Sequence, residues 1–315
     1  MAYIHSAVTA ALAAVEDHLL SPEEIATTVV AQCNQCIASS TGNADVTQEG
    51  DTPGLEGLLW SFWSGLLNIA EDDASMHDRL ARILAALKTK DSQGCAGWII
   101  WGEGSHWGEL PLFGPVSREG MNGPNAFLQG EGFLDKSTPR AHAVLCGDLP
   151  TKDPVERMFS QSRKEWLNIN AFLAKLWALD IVDEHFFGIT TMRMFLEPLS
   201  VQSNKGPTVD VDRDDPQELQ IEVAAIWIKI AGAKMYRCRK ILGPKGNPDW
   251  KANQGASGAS GGTWDGADGY HPDRWAHWKQ IFSEVAQGNW RKNVTEAAQA
   301  AVDAMEKFER DTPSA

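Results

Sequence analysis

Apolar positions in this chain recur three and four residues apart and seldom every second residue, and the segments with that spacing are bounded by helix caps. Ser21-Pro22-Glu23-Glu24 places an N-cap serine, a proline at the first helical position and a glutamate that closes a capping box. With Ile25, Val29, Val30 and Cys33 behind it, this predicts a helix over 22–37. Leu55, Leu58, Leu59, Phe62, Trp63, Leu66 and Leu67 predict a second over 55–70. Leu80, Ile83, Leu84 and Leu87, capped by Asp73 or Ser75, predict a third over 74–89. Asp153-Pro154 starts a long helix over 154–180 that carries Phe159, Trp166, Ile169, Leu173 and Trp177. Further helices are predicted over 184–196, 216–242, 272–287 and 295–309.

Between these lie two stretches without the period. Residues 94–153 hold much of the Gly and Pro and form an irregular segment, long enough to contain short helices of its own. Residues 243–269 have the composition of a flexible linker, and Gly255 to Gly262 that of a mobile connector. Alternating apolar runs are nearly absent, and no repeat of fixed period is present. The expected fold class is all-α: one irregular multi-helix domain over 1–315, with long loops.

Composition narrows the function. A formal charge of −14, from 28 basic and 42 acidic residues, argues against nucleic acid or an anionic membrane as partner. No secretory signal opens the chain and no run is long enough to span a membrane, so a cytoplasmic protein is expected. Five scattered cysteines fit a reducing compartment, with Cys33 and Cys36 read as buried structural thiols. The thirteen tryptophans are the outstanding feature. An indole buries much apolar surface and needs a partner for its N–H, so they form either a wide helical core or an aromatic pocket.

Polar residues set into the most apolar helices are the candidate chemistry. Asn170 shares a face with Trp166, Leu173 and Trp177, and Asn168 lies one step round. Arg193 and Glu197 are four apart and so placed to pair. Arg118 and Glu119 follow the Trp107 motif. These six are expected either to converge in a structural network or to form the floor of a ligand pocket. In the second case Arg118, Asn170 and Glu119 act on the substrate. Trp107, Trp166, Trp177, Trp227, Asn168, Arg193 and Glu197 then bind it.

Metal and cofactor chemistry find little footing. The acidic groups Glu71-Asp72-Asp73…Asp78 and Asp214-Asp215…Glu218…Glu222 depart from the magnesium motifs of class I terpene synthases, and the second reads better as an N-cap with acidic first-turn residues. Histidine ligand pairs, a nucleophile elbow, a Walker loop and a dinucleotide fingerprint are missing, so no metal and no cofactor is expected.

Several segments resemble a family. They are the stretch from Trp107 through Arg118-Glu119 to Asn122-Gly-Pro124, the stretch from Trp166 to Leu176, Met192-Arg193 to Glu197, Val223 to Tyr236, and the helix with Trp275 and Trp278. Together they are similar to a fungal uncharacterised helical family, domain of unknown function 3632. The chain departs from that pattern by an insertion over 126–152 and by the Gly-rich linker. The resemblance implies a helical, cytosolic, fungal protein with no agreed activity and a role in specialised metabolism. Two functions follow. The first is a cofactor-free binding protein, or a cyclase of the pericyclase kind, for a hydrophobic terpenoid or polyene-like small molecule held by orientation and desolvation. The alternative is a helical interaction or regulatory module whose tryptophans are core and interface anchors.

Overall fold

The computed structural model describes residues 2–40, 46, 48–90, 97–124, 127–128, 132–199 and 215–311. They are mostly helix, arranged as two compact units, Met1–Asn122 and Gly123–Ala315, where the sequence reading carries one domain throughout.

The first unit opens with α1 (Ala2–Glu16), which the periodicity did not mark. Its buried face is made of small residues, Ala7, Ala11, Ala14 and Val15, whose spacing is helical but whose hydropathy contrast is weak. In α2 (Pro22–Ser39) the capping box is present as expected, with the Glu24 carboxylate accepting the Ser21 N–H at 2.8 Å. Cys33 and Cys36 are buried on its inner face. The chain continues through α3 (Leu55–Asp72), a 3-10 turn (Ala74–Met76) capped by Asp73, and α4 (His77–Lys88). Helix α1 packs on α2 and α3, and α2 packs on α4.

The irregular segment then contributes a minimal hairpin and a short helix. β1 (Ile99–Ile100) pairs antiparallel with β2 (Glu103–Gly104), Ile99 opposite Gly104. A 3-10 turn (Trp107–Glu109) leads to α5 (Phe113–Gly120), which packs on α3. The core here is aromatic. Trp63 meets Phe113 edge-on at 5.4 Å and Trp107 at 6.3 Å, and Trp107 meets Trp98 at 5.4 Å. Leu110 and Leu112 flank Pro111 with φ of 49° and 66°, unfavourable for branched side chains. Trp63 Nε1 donates to Pro111 O at 2.7 Å and pins that strained turn.

The second unit begins with a short antiparallel pair, β3 (Phe127–Leu128) and β4 (Gly132–Phe133), and with α6 (Pro139–Leu145) capped by Thr138. Two helices make its centre. α7 (Pro154–Ala178) starts at the expected Asp153 cap. α9 (Gln217–Arg237) is buried on nearly all sides, because it packs on α7 and on α11 (Lys292–Asp311). α10 (Pro272–Gln287) lies on α11. The helix expected over 184–196 divides into α8 (His185–Thr191) and one π-helical turn (Met192–Leu196), closed by the Glu197 N–H to Met192 O at 3.0 Å.

Two expectations are revised here. The helix predicted to reach residue 242 stops at Arg237, because Cys238–Leu242 runs extended against the strand-like end of the Gly-rich stretch: Tyr270 N donates to Lys240 O at 3.0 Å and Leu242 N to Asp268 O at 2.7 Å. The stretch 243–269 is itself tied into the unit, and so is Gly255 to Gly262, expected to be a mobile connector. Gly258 N donates to Leu242 O at 2.8 Å, and Gly261 N to the Glu197 carboxylate at 2.8 Å. Glycine is required at 261, where a Cβ would fall 1.6 Å from Arg193 O. Composition signals flexibility when a segment has nothing to bond; this one has a buried arginine.

Candidate functional site

That arginine, Arg274 on α10, is fully buried, and so is its partner Glu197 at the end of the π turn. The pairing is complete on both sides. Arg274 Nε and Nη2 donate to Glu197 Oε1 (2.6 Å) and Oε2 (3.0 Å), and the other three N–H groups go to Gly258 O, Gly269 O (3.1 Å) and Ala259 O (3.1 Å). Glu197 also accepts Trp278 Nε1 at 2.9 Å and Gly261 N at 2.8 Å. Five donors meet five acceptors, and the four lone-pair directions of the carboxylate are filled. The guanidinium also lies 5.7 Å from the Trp278 ring and 5.8 Å from that of Trp264. A buried ion pair has to offset its desolvation through such saturation. Here it fastens the Gly-rich loop to the π turn. Thr263 adds a further link, its hydroxyl donating to Glu197 O at 2.7 Å beside His277 Nε2 at 2.8 Å.

Against this fastened loop lies a cleft of about 390 Å³, lined by Arg193, Met194, Phe195, Asp215, Gln220, Ser260 and Gly261. Arg193 to Phe195 come from the π turn. Such a turn widens the helix and commonly marks a functional position. Among the described residues the Arg193 guanidinium makes no hydrogen bond or ion pair, because the carboxylate four residues on is filled by Arg274. Asp215 is held by Lys136 at 2.6 Å. Gln220, in the first turn of α9, is 6% exposed; its Nε2 reaches Asp215 O at 3.4 Å, while its Oε1 is buried with no partner. An orphaned buried acceptor costs about 1–3 kcal/mol, and this one borders the cleft.

The residues singled out from sequence fall into separate groups. Arg193 lines the cleft. Glu197 supports it from behind through Arg274, so the expected Arg193–Glu197 pair does not form. Asn170 is a bridge within the core: its Nδ2 donates to Trp166 O at 2.9 Å, and Trp227 Nε1 donates to its Oδ1 at 2.9 Å, joining α7 to α9. Asn168 is half-buried on α7. Trp166, Trp177 and Trp227 are core, with Trp177 6.4 Å from Trp227 and 5.8 Å from Tyr270. None of the three lines the cleft. Trp107 is buried in the aromatic core of the first unit, with its Nε1 lacking a partner. Arg118 and Glu119 are exposed on α5 rather than buried in a polar cluster; they sit on the outer face of a short helix whose buried face is Phe113, Val116 and Ser117.

The second acidic group is used in ion pairs. Asp214 lies outside the described residues. Asp215 turns to Lys136 and does not cap α9, Glu218 pairs with Arg291 at 3.2 Å, and Glu222 pairs with Arg163. One further acid stands apart. Glu184, just before α8, is 5% exposed with Oε1 unpartnered, and burial together with the neighbouring Asp183 charge pushes its pKa up to about 7.

Comparison with known proteins returned one family. A family model described as "Protein of unknown function (DUF3632)" matches residues 63–282, from Trp63 on α3 to Phe282 on α10. No curated protein and no solved structure matches the chain.

Proposed function

Because the chain belongs to the DUF3632 family of proteins of unknown function, its activity has to be read from its own site, and we propose that it binds a small amphipathic molecule in the cleft beside Arg193. One observation carries the reading: a guanidinium and a buried amide oxygen that have no partner among the described residues border one cleft whose wall also includes Met194 and Phe195. A few convergent polar groups set in an apolar surround are what fixes a small ligand, and about 390 Å³ is within the range of such sites. The ligand is part apolar, as the hydrophobic-substrate reading holds, but its support comes from Arg193 and Gln220 and not from the tryptophans. A cofactor-free cyclase is the enzymatic form of the proposal, with Arg193 polarising a substrate carbonyl. The setting in fungal specialised metabolism rests on the family resemblance alone. Among the described residues no helix is long and apolar enough to cross a membrane, which is compatible with the cytoplasmic setting included in the proposal.

A thermal-shift screen of amphipathic metabolites tests this. A ligand at a hundred times its Kd adds about 2.7 kcal/mol to stability. The expected result is a shift in wild type that disappears in Ser260→Trp, which fills the cleft. Shifts that persist unchanged in that variant, or none across the screen, would remove the cleft as the ligand site.

A further inference from the structure

We infer that the ligand of this cleft is a carboxylic acid that carries a hydroxyl or N–H donor near the carboxylate and an apolar remainder, an inference that rests on the small-molecule reading above. Charge decides the first part. Among the described residues the charged side chains in the cleft wall are Arg193 and Asp215, and Asp215 is paired with Lys136 at 2.6 Å. Glu197, the nearest acid along the chain, has every lone-pair direction occupied by Arg274, Trp278 and Gly261. Among the described residues Arg193 is therefore the uncompensated charge of the site, in a protein whose formal charge is −14. A guanidinium left with free donors at the edge of an apolar cleft is matched by a planar anion, whose two oxygens fit its fork.

Gln220 decides the second part. Its Nε2 is directed to Asp215 O and its Oε1 is a buried acceptor without a donor. The missing partner is a donor, which a bare fatty or aryl acid lacks and a hydroxy acid or N-acyl amino acid supplies. Phe195 and the half-exposed Met194 offer the apolar contact. The site is also held in shape. The Gly261 backbone is packed on that of Arg193 and bonded to Glu197, so the loop wall and the guanidinium stem are fixed to one buried pair.

The test is calorimetric titration of the full chain with three matched probes at millimolar concentration: N-acetylphenylalanine, its methyl ester, and 3-phenylpropionic acid. N-acetylphenylalanine is expected to bind. The ester, without the charge, is expected to bind about tenfold more weakly or worse, and 3-phenylpropionic acid, without the donor, several-fold more weakly. Arg193→Met should erase the preference for acid over ester, and Arg193→Lys should restore only part of it. Circular dichroism of each variant verifies the fold. If the ester binds as tightly as the acid and Ser260→Trp blocks both, the acid inference is overturned while small-molecule binding at the cleft stands. If 3-phenylpropionic acid equals N-acetylphenylalanine, the role of Gln220 is overturned. If none of the three binds and the metabolite screen is also empty, both readings fall together.

Discussion

Glu184→Gln should change how the stability of this protein depends on pH, in a direction and by an amount that the environment of Glu184 fixes. Burial comes first and the Asp183 charge second in raising the Glu184 pKa from 4.5 to about 7. Asp183 is itself paired with Lys240 at 2.6 Å and lies 2.9 Å from His185 Nδ1, so Lys240 is not spent on Glu184. The folded state thus holds this proton more tightly than the unfolded chain does. Below pH 4.5 both states keep it and the stabilisation is fully present. From there to about pH 7 the unfolded chain releases the proton while the fold retains it, so stability falls as pH rises. Above about 7 the fold releases it too and the loss levels off. At roughly 1.4 kcal/mol per pKa unit, the total is about 3 kcal/mol. Glutamine has the same shape and no proton to lose. Urea unfolding followed by tryptophan fluorescence, run on both proteins across this range, isolates the effect, because every other titration cancels in the difference. The variant should gain about 3 kcal/mol on wild type between about pH 4.5 and pH 8. A difference that stays constant with pH would show that Glu184 is not held neutral, and the argument from its burial would fail.

Three further outcomes follow from the same packing. Arg274→Met should cost about 3–5 kcal/mol by stranding the Glu197 carboxylate, and Glu197→Gln in the same chain should recover part of it; additive single and double variants in denaturant unfolding would mean the pair is not coupled. Gly261→Ala should lower the melting temperature by placing a Cβ 1.6 Å from Arg193 O, and an unchanged melt would show that the loop is not packed there. Trp63→Phe should cost about 1 kcal/mol more than Trp107→Phe, because only Trp63 loses a hydrogen bond, the one to Pro111 O; equal costs would remove that bond from the account of the strained turn.

Much of the helical framework was legible because its signals are local. Ser21, Asp153 and the prolines that follow them define helix starts wherever the chain is placed, and α2 and α7 begin there; α10 begins at Pro272, and α3 begins at Leu55, where its apolar spacing does. Helix α1 escaped because alanine buries little and contrasts weakly with its neighbours. The end of α9 escaped because the partner that draws Cys238–Leu242 into extended pairing is nearly thirty residues further on. Pairing of Arg193 with Glu197 was inferred from spacing alone, and spacing says which groups meet only when neither has a stronger claimant.

The stronger claimant was also written in the sequence, as a relation between two segments and not within either. Arg274 stands four residues before Trp278 on a helix whose inner face continues through Ile281, Phe282 and Val285. An arginine on that face goes into the core, and a buried guanidinium needs five acceptors. One carboxylate supplies two. The rest must come from backbone carbonyls outside regular structure, and glycine-rich chain supplies them most readily because no side chain keeps the guanidinium away. Gly258, Ala259 and Gly269 are those carbonyls. The same composition that reads as a flexible linker in isolation reads as a binding surface once a buried arginine is found a few residues downstream. That surface is what leaves Arg193 without a partner among the described residues at the cleft. With Glu197 filled by Arg274, the nearest carboxylate along the chain cannot neutralise Arg193, and that is the charge the proposed ligand would meet.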